Sequence, residues 1–79
     1  MMAKRLNLRQ AVQRVVRRKG FVVGESFGSD QGATAQSALD RLAKKLDNEE
    51  IEAYAIIKVG ESSGSGGKRT EYQTYYKPL

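Results

Sequence analysis

The spacing of hydrophobic positions changes several times along the chain, and each change marks an element. Leu8, Ala11, Val12 and Val15 recur at i, i+3, i+4 and i+7, with Val16 widening the stripe, which predicts a helix over 7–19. Asn7 is placed to cap it, and Gly20 suits the left-handed position after its last turn. Residues 21–27 are rich in Val and Phe between glycines and predict a strand, with Phe21, Val23 and Phe27 on one face and Gly24 marking a bulge. Ala35, Leu39, Leu42, Ala43 and Leu46 form the stripe of a second helix, 33–47, with Thr34 or Asp30 as its cap. Strand 51–59 alternates: Ile51, Ala53, Ala55, Ile57 and Val59 face the helices, and Glu52, Tyr54, Ile56 and Lys58 face away. Residues 60–67, all Gly, Ser or Glu, read as a flexible loop. Strand 69–77 is rich in Thr and Tyr, with Tyr72 and Tyr76 on one face, Gln73 and Tyr75 on the other, and Pro78 ending it.

This order predicts a single α+β domain over 1–79. Helix 33–47 packs in two layers on a three-stranded, mainly antiparallel sheet, a β-α-β-β unit spanning 21–79. Strands 51–59 and 69–77 form a hairpin, and helix 7–19 lies at an edge or against a partner. The expected core is Val12, Val15, Val23, Leu39, Leu42, Leu46, Ala55, Ile57 and Tyr72.

Charge divides the chain differently. Residues 1–20 carry seven basic residues, Lys4 and Arg5 among them, and no acid, whereas 21–79 carry seven basic and nine acidic residues. The net +5 therefore arises from one helical segment attached to a mildly acidic domain. Arg9, Arg14, Arg17, Arg18 and Lys19 are the candidate nucleic-acid-binding residues, with Lys68 and Arg69 as auxiliaries, because guanidinium forks match phosphate oxygens. The other reading of that helix is a solvated face or one that meets an acidic protein. A membrane surface is not expected, since the helix has no large aromatic anchor.

Composition excludes much chemistry. The chain has no Cys and no His, hence no disulfide, no zinc site and no His-based triad. No convergent acid, base and nucleophile can be named, so an enzyme is not expected, nor is a cofactor or metal. Asp47, Glu49, Glu50 and Glu52 lack the ligand spacing of a calcium loop and read as a solvated turn. The tract from Ser62 to Thr70 approaches a phosphate loop, but Ser62 stands where Gly is needed, Arg69 where Ser or Thr is needed, and a strand follows. The same tract fails the dinucleotide pattern. Arg17-Arg18 lacks the spacing of a twin-arginine signal, no signal-peptide core precedes it, and no stretch has the length to span a bilayer, so a cytoplasmic protein is expected. At 79 residues the core is small, so a homo-oligomer or other partner is expected. Tyr54, Ile56 and Tyr75 are the candidate interaction surface, with Tyr75 and Tyr54 expected to be the most exposed aromatics.

The last strand, Gly67-Lys-Arg-Thr-Glu-Tyr-Gln73-Thr-Tyr-Tyr-Lys77, together with the strand–helix–strand–strand order from 21 to 77, resembles the end of dodecins, small flavin-binding proteins. It is also similar to small periplasmic domains of the YdgH/BhsA kind, which end in Tyr-Lys. The resemblance implies one helix on an antiparallel sheet with the C-terminal strand between the other two. It assigns a ligand-contacting position to Gln73 alone; the flavin-stacking Trp of dodecins has no counterpart here. A dodecin-like small-ligand binder is thus a third reading, beside a nucleic-acid-binding module and a protein-interaction or self-assembling module.

Overall fold

The computed structural model describes residues 8–64 and 67–79. The elements are α1 (Leu8–Arg18), β1 (Val22–Gly28), α2 (Gly32–Asp47), β2 (Ile51–Gly64) and β3 (Gly67–Pro78). The class is α+β, with a three-stranded antiparallel open sheet in the order β1-β3-β2. The last strand in sequence is therefore the central one. Lys4, Arg5, the Asn7 cap and the Ser65-Gly66 part of the tract lie outside the described residues.

Both helices end in the same way by different means. After α1, Gly20 N–H bonds the Arg17 carbonyl and Phe21 N–H bonds the Val16 carbonyl, with Gly20 at φ +89°. This double bond pattern satisfies two orphan carbonyls and needs a left-handed residue, which Gly adopts freely. After α2, Glu49 N–H reaches Leu46 and Glu50 N–H reaches Lys45, so the left-handed position falls on Glu49, at φ 58°. A side chain is strained there. Glu49→Gly is expected to raise stability by about 0.5–1 kcal/mol, read as a higher urea midpoint; a lowered midpoint would contradict it.

The start of α2 differs from the expected caps. Gln31 holds the N-cap position and makes no side-chain cap bond. Thr34 lies inside the helix, and the Asp30 carboxylate is taken by Arg69 at 2.7 Å. Gln31 Oε1 instead accepts from Gly28 N–H at 2.8 Å.

The tract expected to be a loop is largely strand. The β2–β3 ladder continues through Glu61↔Thr70, Ser62↔Arg69 and Ser63↔Lys68 to Gly64↔Gly67. A hairpin already paired at Ile56↔Thr74 extends through small residues because each further pair adds backbone bonds without a new loop to close. The projecting hairpin accords with a radius of gyration of 14.4 Å, against about 12 Å for a compact chain of this length.

A bulge decides which faces β1 presents. Its register with β3 shifts between Val23 and Ser26, so Val23 pairs with Tyr75 but Phe27 pairs with Tyr72. Val23 and Phe27 therefore face opposite sides, contrary to simple alternation, and the Phe27 ring stacks on Tyr72 at 5.6 Å. Gly24 is required inside the bulge: a Cβ there would lie 2.8 Å from the Thr74 hydroxyl, which donates to the Glu25 carbonyl at 2.6 Å.

Side chains of the two helices reach opposite faces of β3. Arg9 of α1 bonds Gln73, whereas Lys45 of α2 lies over the Tyr76 ring at 5.2 Å. The Arg9 side chain thus ties α1 to the central strand. Among the described residues, the buried ones are Phe27, Gly28, Ala38, Leu42, Ile51, Val59, Gln73, Thr74 and Tyr75. Two expected core residues, Val15 and Leu46, are exposed, at 54% and 39%. The buried side of α2 runs through Ala35, Ala38, Leu39 and Leu42, one step round from the expected stripe, so Ala43 and Leu46 fall outside it.

Candidate functional site

The orientation of α1 sets its chemistry. Arg9, Ala11, Val12, Gln13 and Val16 are partly covered, whereas Leu8, Arg14, Val15, Arg17 and Arg18 are exposed, as is Lys19 just beyond the helix. The covered side thus centres on Arg9, Val12 and Val16, and Leu8 and Val15 flank it. Gln10, Gln13, Arg14, Arg17 and Arg18 recur at i, i+3, i+4, i+7 and i+8, and line an open hollow of about 430 Å³ on the helix.

Arg9 does not share that outer face. Its Nη1 donates to Gln73 Oε1 at 2.6 Å, and Gln73 Nε2 donates in turn to the Gly24 and Glu25 carbonyls at 2.7 and 3.2 Å. The bulge turns those carbonyls toward Gln73, and Gln73 carries the link on to α1. Gln73 is 3% exposed and its amide is fully engaged. The sequence signal for this role was a lone amide flanked by tyrosines and threonine in a strand.

Tyr75 corrects the expected interaction surface: it is 0% exposed. It shares the Gln73 face, which α1 covers. Burial raises its phenol pKa above the ordinary value, with the nearby Arg9 and Arg17 charges pulling it down. Its hydroxyl has no hydrogen-bond partner among the described residues. Tyr54 and Ile56 lie on the opposite face of β2 and are exposed, at 37% each.

At the hairpin, Lys68 is exposed and Arg69 is committed elsewhere. Arg69 pairs with Asp30 and with Glu71, both at 2.7 Å, and also donates to Gln31. The Arg69 hydrogen bond is the largest influence holding the Asp30 carboxyl below its ordinary pKa. Arg69 therefore ties β3 to the start of α2. Gly67–Arg69 are extended and paired, so no helix N-terminus follows the glycines, as a phosphate loop would require.

The basic side chains outside α1 divide: Lys44, Lys45 and Lys68 are exposed and form no ion pair among the described residues, whereas the others, like Arg69, meet carboxylates. Arg41 pairs with Glu25 at 2.6 Å, Lys58 with Glu61 at 2.7 Å and Lys77 with Glu52 at 3.6 Å. Arg14, Arg17, Arg18 and Lys19 have no ion-pair partner among the described residues. Among those residues, too, no helix is long and apolar enough to cross a membrane. Nor is any group of three His, Cys, Asp or Glu placed to hold a metal ion.

Comparison with models of protein families, with curated proteins and with solved structures finds no match.

Proposed function

We propose that the chain is a small, non-enzymatic nucleic-acid-binding module whose contact surface is the outer side of α1. The β1-α2-β2-β3 unit is its scaffold, and α1 is held on that scaffold by the Arg9–Gln73 bond. One observation carries the reading: Arg14, Arg17, Arg18 and Lys19 stand together on one short stretch of chain, exposed and without an ion pair among the described residues; elsewhere Lys44, Lys45 and Lys68 are also without one, and Arg41, Lys58, Arg69 and Lys77 each meet a carboxylate. Guanidinium groups free of carboxylates bind phosphate oxygens at no cost in broken ion pairs. Side chains on one exposed helix flank fit a phosphate backbone and carry no base-reading pattern, so the binding is expected to be sequence-independent.

The test is a titration of labelled duplex DNA and single-stranded RNA at 50 and 200 mM salt, with polyglutamate as competitor. Four phosphate contacts imply a loss of affinity of about hundredfold between those salts. Absence of binding at 50 mM salt would overturn the proposal. So would displacement by polyglutamate at equal charge concentration, which would favour an acidic protein surface.

A further inference from the structure

Strand β2 is an edge of the sheet: β3 pairs with one of its sides, and the order β1-β3-β2 leaves the other open. It is 14 residues long, twice the length of β1, the other edge strand. Tyr54 and Ile56 stand exposed on it, and Val22 (42% exposed) completes a row with Tyr76 and Tyr54 across the sheet. A long edge with apolar side chains exposed beside it is a template for a further strand.

The sequence of this edge selects the strand that fits. Directly opposed residues in an antiparallel pair share a face, so a two-fold axis normal to the sheet must pass through a residue and not between residues. With the axis at Ala55, Tyr54 stands opposite Ile56 of the other copy, Ala53 opposite Ile57, and Glu52 opposite Lys58. Symmetry makes each of these pairs twice. Both charges then meet their opposites, and both exposed apolar side chains meet each other. Moving the axis to Tyr54 puts Glu52 opposite Ile56, and moving it to Ile56 puts Glu52 opposite Gly60.

We propose that a second copy of this chain pairs with the open side of β2, antiparallel and two-fold symmetric about Ala55, to form a continuous six-stranded sheet. Pairing of β2 with β3 is regular from Ala53 to Lys58, and Glu52 stands in the register shift between Ile51 and Ala53, at the end of the proposed stretch. The remaining outer strands are the short, bulged β1 of each copy. Bulged and short edges resist further pairing, so the assembly closes at two copies and does not grow into a fibre. Glu52 and Lys58 have partners of their own in the monomer, Lys77 at 3.6 Å and Glu61 at 2.7 Å, but all four side chains are well exposed and such pairs exchange at little cost. A two-fold axis normal to the sheet keeps both copies' α1 on the same side. The inference does not depend on nucleic-acid binding.

The experiment is sedimentation equilibrium of the full chain from micromolar to millimolar concentration, without nucleic acid. The native chain should form dimers. Glu52→Lys and Lys58→Glu should each weaken association roughly tenfold, since like charges then oppose twice. The double variant should regain the native association. That recovery cannot come from within one chain, because the double variant still opposes Lys77 with Lys and Glu61 with Glu. A second measurement uses Ala55→Cys, which gives the chain its one thiol: opposed Cα atoms about 5 Å apart are within disulfide reach, so mild oxidation should link two copies, and Ala53→Cys should link far fewer. A monomer throughout the concentration range, no recovery in the double variant, or equal crosslinking at both positions would overturn the proposal.

Discussion

Replacing Tyr75 by alanine is expected to cost about 4 kcal/mol, the range for deleting a fully buried aromatic ring. Tyr75 is the largest side chain with essentially no exposure, and it lies on the central strand beneath α1. Helix α1 has no fully buried residue of its own, and its Arg9 and Arg17 charges lie near enough to Tyr75 to act on its phenol. In a domain of this size the loss consumes most of the folding free energy. The melting temperature should fall by some 15–30 °C, followed by circular dichroism. Tyr75→Phe separates ring from hydroxyl. The hydroxyl is buried without a partner among the described residues, so its removal should leave stability unchanged or raise it by about 1 kcal/mol. The pH dependence has a definite sign. Burial raises the folded phenol pKa, so Tyr75 contributes stability that is complete below the unfolded value of about 10 and is lost as pH rises through the folded value. The native chain should therefore weaken above about pH 10 by more than the Phe variant does. Equal alkaline sensitivity would show that Tyr75 is not the titrating group.

The second large effect is on nucleic-acid binding. The fourfold variant Arg14→Gln, Arg17→Gln, Arg18→Gln, Lys19→Gln should lose at least about hundredfold in affinity at 50 mM salt, and the log–log salt dependence should flatten by about 3 to 4. All four side chains are exposed, and Gln is a good helix former. The cost to stability should be confined to the cations that favour the C-terminal end of the helix dipole, about 0.3–1 kcal/mol each. Arg41→Gln is the matched control, since its cation is already paired with Glu25; its affinity should stay within about twofold of the native chain. Equal losses from Arg41→Gln and from single changes in α1 would mean that binding follows net charge and not the α1 surface.

The helices and strands were legible because each rests on local spacing. The 3.6-residue recurrence in α1 and α2, the alternation from Ile51 to Val59, and the glycine after α1 are all interactions within a few residues. The strand extension through residues 60–64 was not legible, because Gly and Ser permit a ladder without demanding one. The basic outer side of α1 was legible in part. Arg14, Arg17, Arg18 and Lys19 were in the candidate set and are exposed; Arg9 and Arg69 were in the same set and are spent on Gln73 and on Asp30 and Glu71. Nothing near Arg9 in sequence announces a partner 64 positions away. The same holds for the tyrosines. Alternation correctly separates Tyr75 from Tyr72 and Tyr76, but it does not say which face is covered.

By itself the sequence determined the order and kind of the elements and the concentration of positive charge in one helix. It also determined the palindromic chemistry of the β2 edge about Ala55. Tertiary structure alone decided that side chains of α1 and α2 reach opposite faces of β3. It alone decided that Tyr75 is buried while Tyr54 is exposed, and that α1 turns Arg9 inward and its other cations outward. The physical reason is common to all of these. Periodicity fixes side chains relative to their own element, but the face that meets a neighbour is set by packing between residues far apart in the chain, and one bulge at Gly24 is enough to reverse it.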